Sequence, residues 1–340
     1  MSLFTLSVTP LPQATIFEML KQARQNAHAP LSHYQVAAVV EVQRSDNLYF
    51  YISGVNIEND EHNRLSMHSE QNALVNALTL LGGDAQFSNL WVMAAAADAM
   101  PDATQKAAKS CGHCRQIMLS LAKPNARIYA VTLADQFSSN SFEQQFLPEA
   151  FSEKDLNLVA ENSASNSSRA DSSQLPVWKI LHESGGLSID TIRQYLQTLS
   201  PHIVSKEFQT SPITACIAKC NNGRYAMGVL VQDIAFLTTD AVFAVIGNAI
   251  TQFCSKDLRF EEMHFASNTV HPAQLTFAEI ETLSHRYVHR DTIVHFYTSQ
   301  EHASYTFKEC LQARHAIVGQ MLQHPFAQAA VPFLVNGSIK

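Results

Sequence analysis

At 340 residues the chain is long enough for two domains of ordinary size and needs no covalent staples to bury a core. A formal net charge of -7 with no run of consecutive Lys/Arg argues against nucleic acid as a general partner. No stretch is apolar and long enough to span a membrane, and the start MSLFTLSVTP lacks a basic region followed by a long apolar run, so the expectation is a cytoplasmic protein without a membrane partner.

Residues 15–28 place Ile16, Met19, Leu20 and Ala23 at helical spacing and predict a helix that stops before Pro30. YQVAAVVEV (34–42) and LYFYISGVNIE (48–58) are rich in β-branched and aromatic residues and flank the turn-forming Ser45, Asp46 and Asn47, which predicts a hairpin. SMHSEQNALVNALTLLGG (66–83) predicts a helix with His68 and Glu70 at its start and paired glycines at its end. LWVMAAAA (90–97) reads as a buried strand, followed by the polar stretch DAMPDATQKAAK. From Cys111 to Leu121 the pattern is helical, ended by Lys123 and Pro124, and ARIYAV (126–131) reads as a strand. Helices alternating with strands in this order imply an α/β layer structure.

The Ser/Asn-rich stretch 152–176 has almost nothing to bury and reads as a linker between a first domain, 1–151, and a second, 177–340. Beyond it DTIRQYLQTLS looks helical, ITACIAK and YAMGVLV form a hairpin around NNG, and DAVFAVIGNAI looks helical again. Laying GVLVQDIAF (228–236) over GVNIENDEH (54–62) without gaps puts Leu230 on Asn56 and Gln232 on Glu58. Continued, the overlay puts Val242 on His68 and Ala244 on Glu70, which predicts a degenerate repeat that kept the fold and lost its polar groups.

Six cysteines in a chain of this size fit a reducing compartment, where a close pair is more often a metal or redox site than a bridge. Cys111 and Cys114 share one face of a helix's first turn, where unpaired N–H groups and the helix dipole favour thiolate. His68 opens another helix, so two helix ends can converge on one Zn²⁺, expected once per chain, with a water in the fourth position. Such a metal brings its water's pKa down from about 15.7 toward 7 and makes a hydroxide nucleophile. Glu70, two residues past His68, is placed to take that water's proton and pass it to a ring nitrogen and a departing amine. H-x-E followed by C-x-x-C is the signature of zinc nucleobase deaminases. His113 reads as solvated, Cys216 and Cys220 as small buried hydrophobes, and most of the fifteen histidines as surface or packing residues.

With these motifs the chain resembles the cytidine deaminase family, and more closely its dimeric type with an active first domain and a degenerate second. PLSHYQVAA resembles the family's strand entry, SGVNIEN its nucleoside-binding strand, HSEQNA and CGHCRQ its metal motifs, and LPEAFSEKDL (147–156) a segment of the dimeric type. The resemblance implies α/β/α layers around a mixed central sheet, duplicated along the chain, and a homodimer whose pocket is completed by a neighbouring domain or chain. It implies hydrolytic deamination of cytidine and deoxycytidine, with water as co-substrate, in pyrimidine salvage. By position, Asn56 and Glu58 would hold the ribose, Tyr34 would wall the base, and Phe151 would lie near the site. The Ser69 N–H would bind the pyrimidine carbonyl, the Lys109 carbonyl would accept from the amine, and Arg115 would interact with the cysteine ligands.

Three positions depart from the family pattern: Ala37 replaces a glycine and is expected to tighten the pocket, Ser69 replaces an alanine, and Ser110 replaces a proline. Serine is a good N-cap, so Ser110 is expected to cap a helix that begins with Cys111. The segment between His68 and Cys111 is longer than in the dimeric type, with the surplus in DAMPDATQKAAK (98–109). Two competing readings are a deaminase acting on cytosine in single-stranded nucleic acid, opposed by the acidic balance, and a catalytically silent binding subunit, opposed by the complete ligand set.

Overall fold

Apolar runs as continuous as VAAVVEV bury both faces of a strand and belong at the centre of a sheet covered on two sides. The computed structural model describes residues 3–58, 66–82, 85–141, 177–183, 186–203, 211–232, 238–253 and 257–322. The predicted linker, Phe151 and the 147–156 motif therefore lie outside the described residues.

The first half runs β1 (Phe4–Ser7), α1 (Gln13–Arg24), β2 (Tyr34–Gln43), β3 (Tyr49–Val55), α2 (Ser69–Leu81), β4 (Phe87–Ala96), α3 (Gly112–Leu119), β5 (Ala122–Val131) and β6 (Phe137–Ser141). Its sheet has the order β1-β3-β2-β4-β5-β6, with β4 and β5 parallel and the other neighbours antiparallel. Alternate residues of β2 feed the two faces: Ala38 and Val40 join Leu74, Leu78 and Ile117 of α2 and α3, while Ala37 and Val39 join Ile16 and Leu20 of α1. The result is three layers. The Ala37 methyl thus belongs to the α1 side of the sheet.

The second half runs α4 (Ile189–Thr198), β7 (His202–Ile203), β8 (Ile213–Cys220), β9 (Tyr225–Val229), β10 (Val231–Gln232), β11 (Thr238–Thr239), α5 (Ala241–Phe253), β12 (Phe260–Ser267), α6 (Phe277–Arg286), β13 (Ile293–Tyr297), β14 (His302–Thr306) and α7 (Phe307–Leu322). Strands β7, β10 and β11 make a small separate sheet. The larger one has the order β14-β13-β12-β8-β9, with β12 and β13 parallel and the rest antiparallel. Strand for strand this repeats β6-β5-β4-β2-β3.

Local geometry repeats too. The hairpin part of the sequence overlay holds, because Asn56 N donates to the Val36 carbonyl as Leu230 N donates to that of Thr214. In both halves a helix lies on a bare glycine: a Cβ on Gly54 would stand 2.1 Å from Ala73 N, and one on Gly228 would stand 2.4 Å from Val245 N. These contacts set the register of α2 against α5, and it differs by two residues from the gap-free overlay. Asp240, not Val242, stands at the position of His68, and Val242 stands at that of Glu70. The loop into the second helix is shorter by those two residues, which a gap-free comparison cannot register.

At the corrected positions the second half has kept polar groups. Asp240 caps α5, accepting from Phe243 N at 2.7 Å. Thr276 and Glu279, at the N-cap and third helical position of α6, correspond to Cys111 and Cys114 of α3 and form a capping box. The Glu279 carboxyl also accepts from Ser211 Oγ at 3.1 Å and is 1% exposed. Burial, and then the neighbouring Asp240, push its pKa from the ordinary 4.5 up to about 7; burial raises Asp240 as well. The folded state holds a proton that the unfolded chain releases, so this pair costs stability as pH climbs from about 4.5 to about 7. Thermal denaturation across pH 5–8 is expected to show a falling Tm in the unaltered protein and a markedly flatter profile in Glu279→Gln.

Candidate metal centre

A helix N-terminus leaves backbone N–H groups unpaired and carries the positive end of the dipole, so anionic groups collect there. Here two such ends meet. His68 is the N-cap residue of α2 and Cys111 that of α3, both with extended backbone, and Cys114 lies one turn into α3. Cys111 Sγ is 3.4 Å and Cys114 Sγ 3.2 Å from His68 Nδ1. Around a tetrahedral zinc, with bonds of about 2.0 Å to nitrogen and 2.3 Å to sulfur, the N···S edge is about 3.5 Å. The three atoms therefore accept zinc with a shift of a few tenths of an ångström, and their donor chemistry is the nitrogen–sulfur set that zinc favours.

The helix that brings Cys111 starts one residue later than expected. Cys111 itself is the cap, and Ser110 is a buried residue whose Oγ has no hydrogen-bond partner, so the expected serine cap does not form. Instead Arg115 Nε donates to the Ser110 carbonyl at 2.9 Å, pinning the peptide before Cys111. The sulfurs differ in environment. Cys111, exposed, is pulled down to about 4 by the hydrogen bond from the Cys114 thiol, with His68 adding to it; Cys114, buried, is pushed up by that same bond, by burial and by Glu70.

Glu70 is 5% exposed in the first turn of α2, its carboxylate accepting from Ser69 Oγ at 3.0 Å. That hydroxyl, a departure from the family's alanine, was legible in sequence only as a substitution. Two further side chains that the pattern did not single out hold α2 on β3: Asn72 Nδ2 donates to the Val55 carbonyl at 2.9 Å and Asn76 Nδ2 to that of Ser53 at 3.0 Å. Two amides four residues apart on an otherwise apolar helix were the available signal.

The remaining sequence-derived residues are placed as follows. Asn56 spans to β2 with both ends of its amide, Oδ1 accepting from Val36 N at 2.8 Å and Nδ2 donating to the Tyr34 carbonyl at 2.9 Å. Glu58 accepts from the N–H groups of Leu31 and Ser32 at 2.9 and 3.0 Å and from the Ser32 hydroxyl. Both first serve to fix the strand entry, while the second amide hydrogen of Asn56 and further lone pairs of Glu58 keep capacity for a ligand. Tyr34 is 41% exposed, and Lys109 is exposed at the end of the 98–109 segment, which carries Met100 at 79% exposure. His68 and Cys111 are exposed in the single chain, and His113 packs beside His68 with ring centroids 5.6 Å apart.

Residues 12–131 match the family model described as the cytidine and deoxycytidylate deaminase zinc-binding region. A cytidine deaminase of Halalkalibacterium halodurans is 29% identical over 136 residues, which is 40% of this chain and 91% of that protein. One of Aliivibrio fischeri is 30% identical over 131 residues, 38% of this chain and 36% of that protein. The crystal structure of a cytidine deaminase from Burkholderia pseudomallei is 26% identical, aligned over 42% of this chain and all of that one, with a TM-score of 0.34. After equilibration with zinc and removal of excess, Cys114→Ser is expected to carry one zinc ion per chain fewer than the unaltered protein by elemental analysis.

Proposed function

From the match of residues 12–131 to the cytidine and deoxycytidylate deaminase zinc-binding region, we propose that the chain is a cytidine deaminase that hydrolyses cytidine and deoxycytidine to uridine and deoxyuridine with release of ammonia. The observation that carries the proposal is the convergence of His68, Cys111 and Cys114 beside the buried carboxyl of Glu70. Held by those three side chains, zinc supplies Lewis acidity that brings the pKa of a water toward 7.

The chain's own residues then move protons and place the base. Glu70 takes the proton of the attacking water, passes it to N3 of the pyrimidine as C4 becomes tetrahedral, and delivers a proton to the leaving amine. Ser69 Oγ, donating to Glu70, fixes which carboxylate oxygen faces the ring. The Ser69 N–H and the Lys109 carbonyl are assigned to the pyrimidine carbonyl and the amine, Tyr34 to the face of the base, and Asn56 and Glu58 to the ribose. Arg115 holds the Ser110 carbonyl and thereby the approach of Cys111. Phe151 is proposed near the site by resemblance alone.

We read residues 1–151 as the catalytic domain, 152–176 as a linker and 177–340 as a domain without catalysis; the repeated strand order supports that division. Exposure of His68 and Cys111 in the single chain supports a homodimer in which a second chain closes the pocket. No helix among the described residues is long and apolar enough to cross a membrane, and the described cysteines are unbridged, which fits the proposed cytoplasmic location.

With cytidine as substrate and ultraviolet detection, Glu70→Gln is expected to lose at least a thousandfold in kcat while retaining its zinc. Turnover at the unaltered rate in that variant removes the proton-transfer assignment. Inertness of the zinc-loaded unaltered protein toward cytidine and deoxycytidine removes the proposal itself.

A further inference from the structure

A second convergence of metal-ligating atoms lies in the other half of the chain, in the middle of its sheet. Glu262 and His264 stand two residues apart on β12 and so share one of its faces. The parallel register of β12 and β13 sets His295 directly beside His264. Their rings are nearly parallel, 4° apart in plane, with centroids at 4.5 Å. Glu262 Oε1 is 2.7 Å from His295 Nε2 and 3.4 Å from His264 Nε2. One ligand atom from each of the three side chains lies within 4.8 Å of the others.

The outer nitrogens decide what the inner ones offer. His264 Nδ1 bonds the Tyr297 hydroxyl at 2.9 Å and His295 Nδ1 bonds His302 Nε2 at 3.0 Å. His295 Nε2 donates to Glu262 Oε1 at 2.7 Å, whereas His264, with Nδ1 donating outward to Tyr297, turns the lone pair of its Nε2 toward the same carboxylate, which is also an acceptor. His264 is fully buried, and its Nε2 has no hydrogen-bond partner. A buried, unpartnered imidazole nitrogen facing a carboxylate oxygen that a second imidazole nitrogen already reaches is an arrangement a cation completes, displacing the His295 Nε2 proton and taking all three atoms as ligands. A metal-bound histidine normally donates its other ring N–H to a fixed outer partner, and both histidines here have one.

We propose that Glu262, His264 and His295 bind a divalent first-row transition-metal cation, distinct from the one assigned to α2 and α3. Around a tetrahedral ion with bonds of about 2.0 Å to nitrogen and oxygen, ligand edges are about 3.3 Å. The His264–Glu262 edge already has this length, and the His295–Glu262 edge opens by about half an ångström, within reach of the partly exposed Glu262 side chain. Two imidazoles and a carboxylate suit zinc, cobalt or nickel rather than calcium or magnesium. The protein supplies three ligands, so a solvent or ligand position stays open on the side of Glu262. The ion would cross-link β12 to β13 on the face that bears Tyr297.

Cobalt(II) tells the two sites apart, because thiolate ligands add an intense sulfur-to-metal charge-transfer band in the near ultraviolet and a nitrogen–oxygen site does not. The chelator-treated full-length chain with Cys111→Ser and Cys114→Ser is expected to bind one equivalent of cobalt without that band. Adding Glu262→Gln or His295→Asn should weaken this binding at least tenfold, and Tyr297→Phe, which removes an outer partner, by about tenfold. Glu262 is partly exposed, so its replacement keeps the test valid if the buried His295 variant does not fold; circular dichroism and Tm without metal establish that it has folded. Zinc should raise the Tm of the Cys111→Ser/Cys114→Ser variant and leave that of its Glu262→Gln derivative unmoved. The proposal is overturned if the Cys111→Ser/Cys114→Ser protein binds no cobalt, or binds it equally with Glu262→Gln in place. Neither outcome depends on deaminase activity.

Discussion

The approach of a helix to a strand with no side chain between them governs the geometry of both halves. Gly54 lets α2 descend until Ala73 N occupies the space where a Cβ would stand, and Gly228 does the same for α5. An ordinary helix–sheet separation leaves room for side chains on both surfaces. Removing one brings the helix start down beside the end of β3, where His68 can meet sulfurs that α3 delivers. Asn72 and Asn76 then replace lost apolar packing with hydrogen bonds to the carbonyls of Val55 and Ser53. A buried amide of this kind is expensive to leave unpaired, so these bonds fix the rotation of α2 as well as its depth.

The same two helices face each other across the molecule. Asn248 Nδ2 donates to Asn76 Oδ1 at 3.3 Å, and these residues are equivalents in the repeat. Asn72 Nδ2 reaches Thr251 Oγ1 at 3.0 Å, and Gly247 has no room for a methyl, whose carbon would stand 2.6 Å from Asn72 Oδ1. Residue equivalents that bond one another mark a local two-fold relation within a single chain. The second half therefore supplies the surface against which α2 is held. Gln71 Nε2, one residue past Glu70, donates to Thr239 Oγ1 of that half at 2.8 Å.

Sequence legibility follows from how local each determinant is. The placement of His68, Glu70, Cys111 and Cys114 at two helix starts was readable because a helix start fixes neighbours within one turn, and spacing alone reports it. Pairing of the halves in outline was readable for the same reason, since hairpins and helices are local. The two-residue slip that sets Asp240 against His68 was not, because loop length is invisible to a gap-free overlay. Serine's cap preference at Ser110 lost to the extended backbone of Cys111, which took the cap position itself. His264 and His295 are thirty-one positions apart, and only strand register, which alternation leaves undetermined by pairs of residues, brings their rings together.

The first half and its repeat solve one electrostatic problem by different means. Anionic groups at helix starts are favoured by the dipole and penalised by burial, and the balance must be completed by a positive charge or a proton. At α2 and α3 the donors are an imidazole and two thiols, soft enough to be completed by a metal ion. At α5 and α6 they are carboxyls and a hydroxyl, Asp240, Glu279 and Thr276, and burial raises the pKa of both acids, that of Glu279 to about 7, so that a proton serves instead as the pH falls. Exchanging sulfur for oxygen at equivalent positions thus converts a site governed by metal into one governed by pH. Below about pH 7 a proton on the acids of the repeat takes the place that a cation takes in the first half.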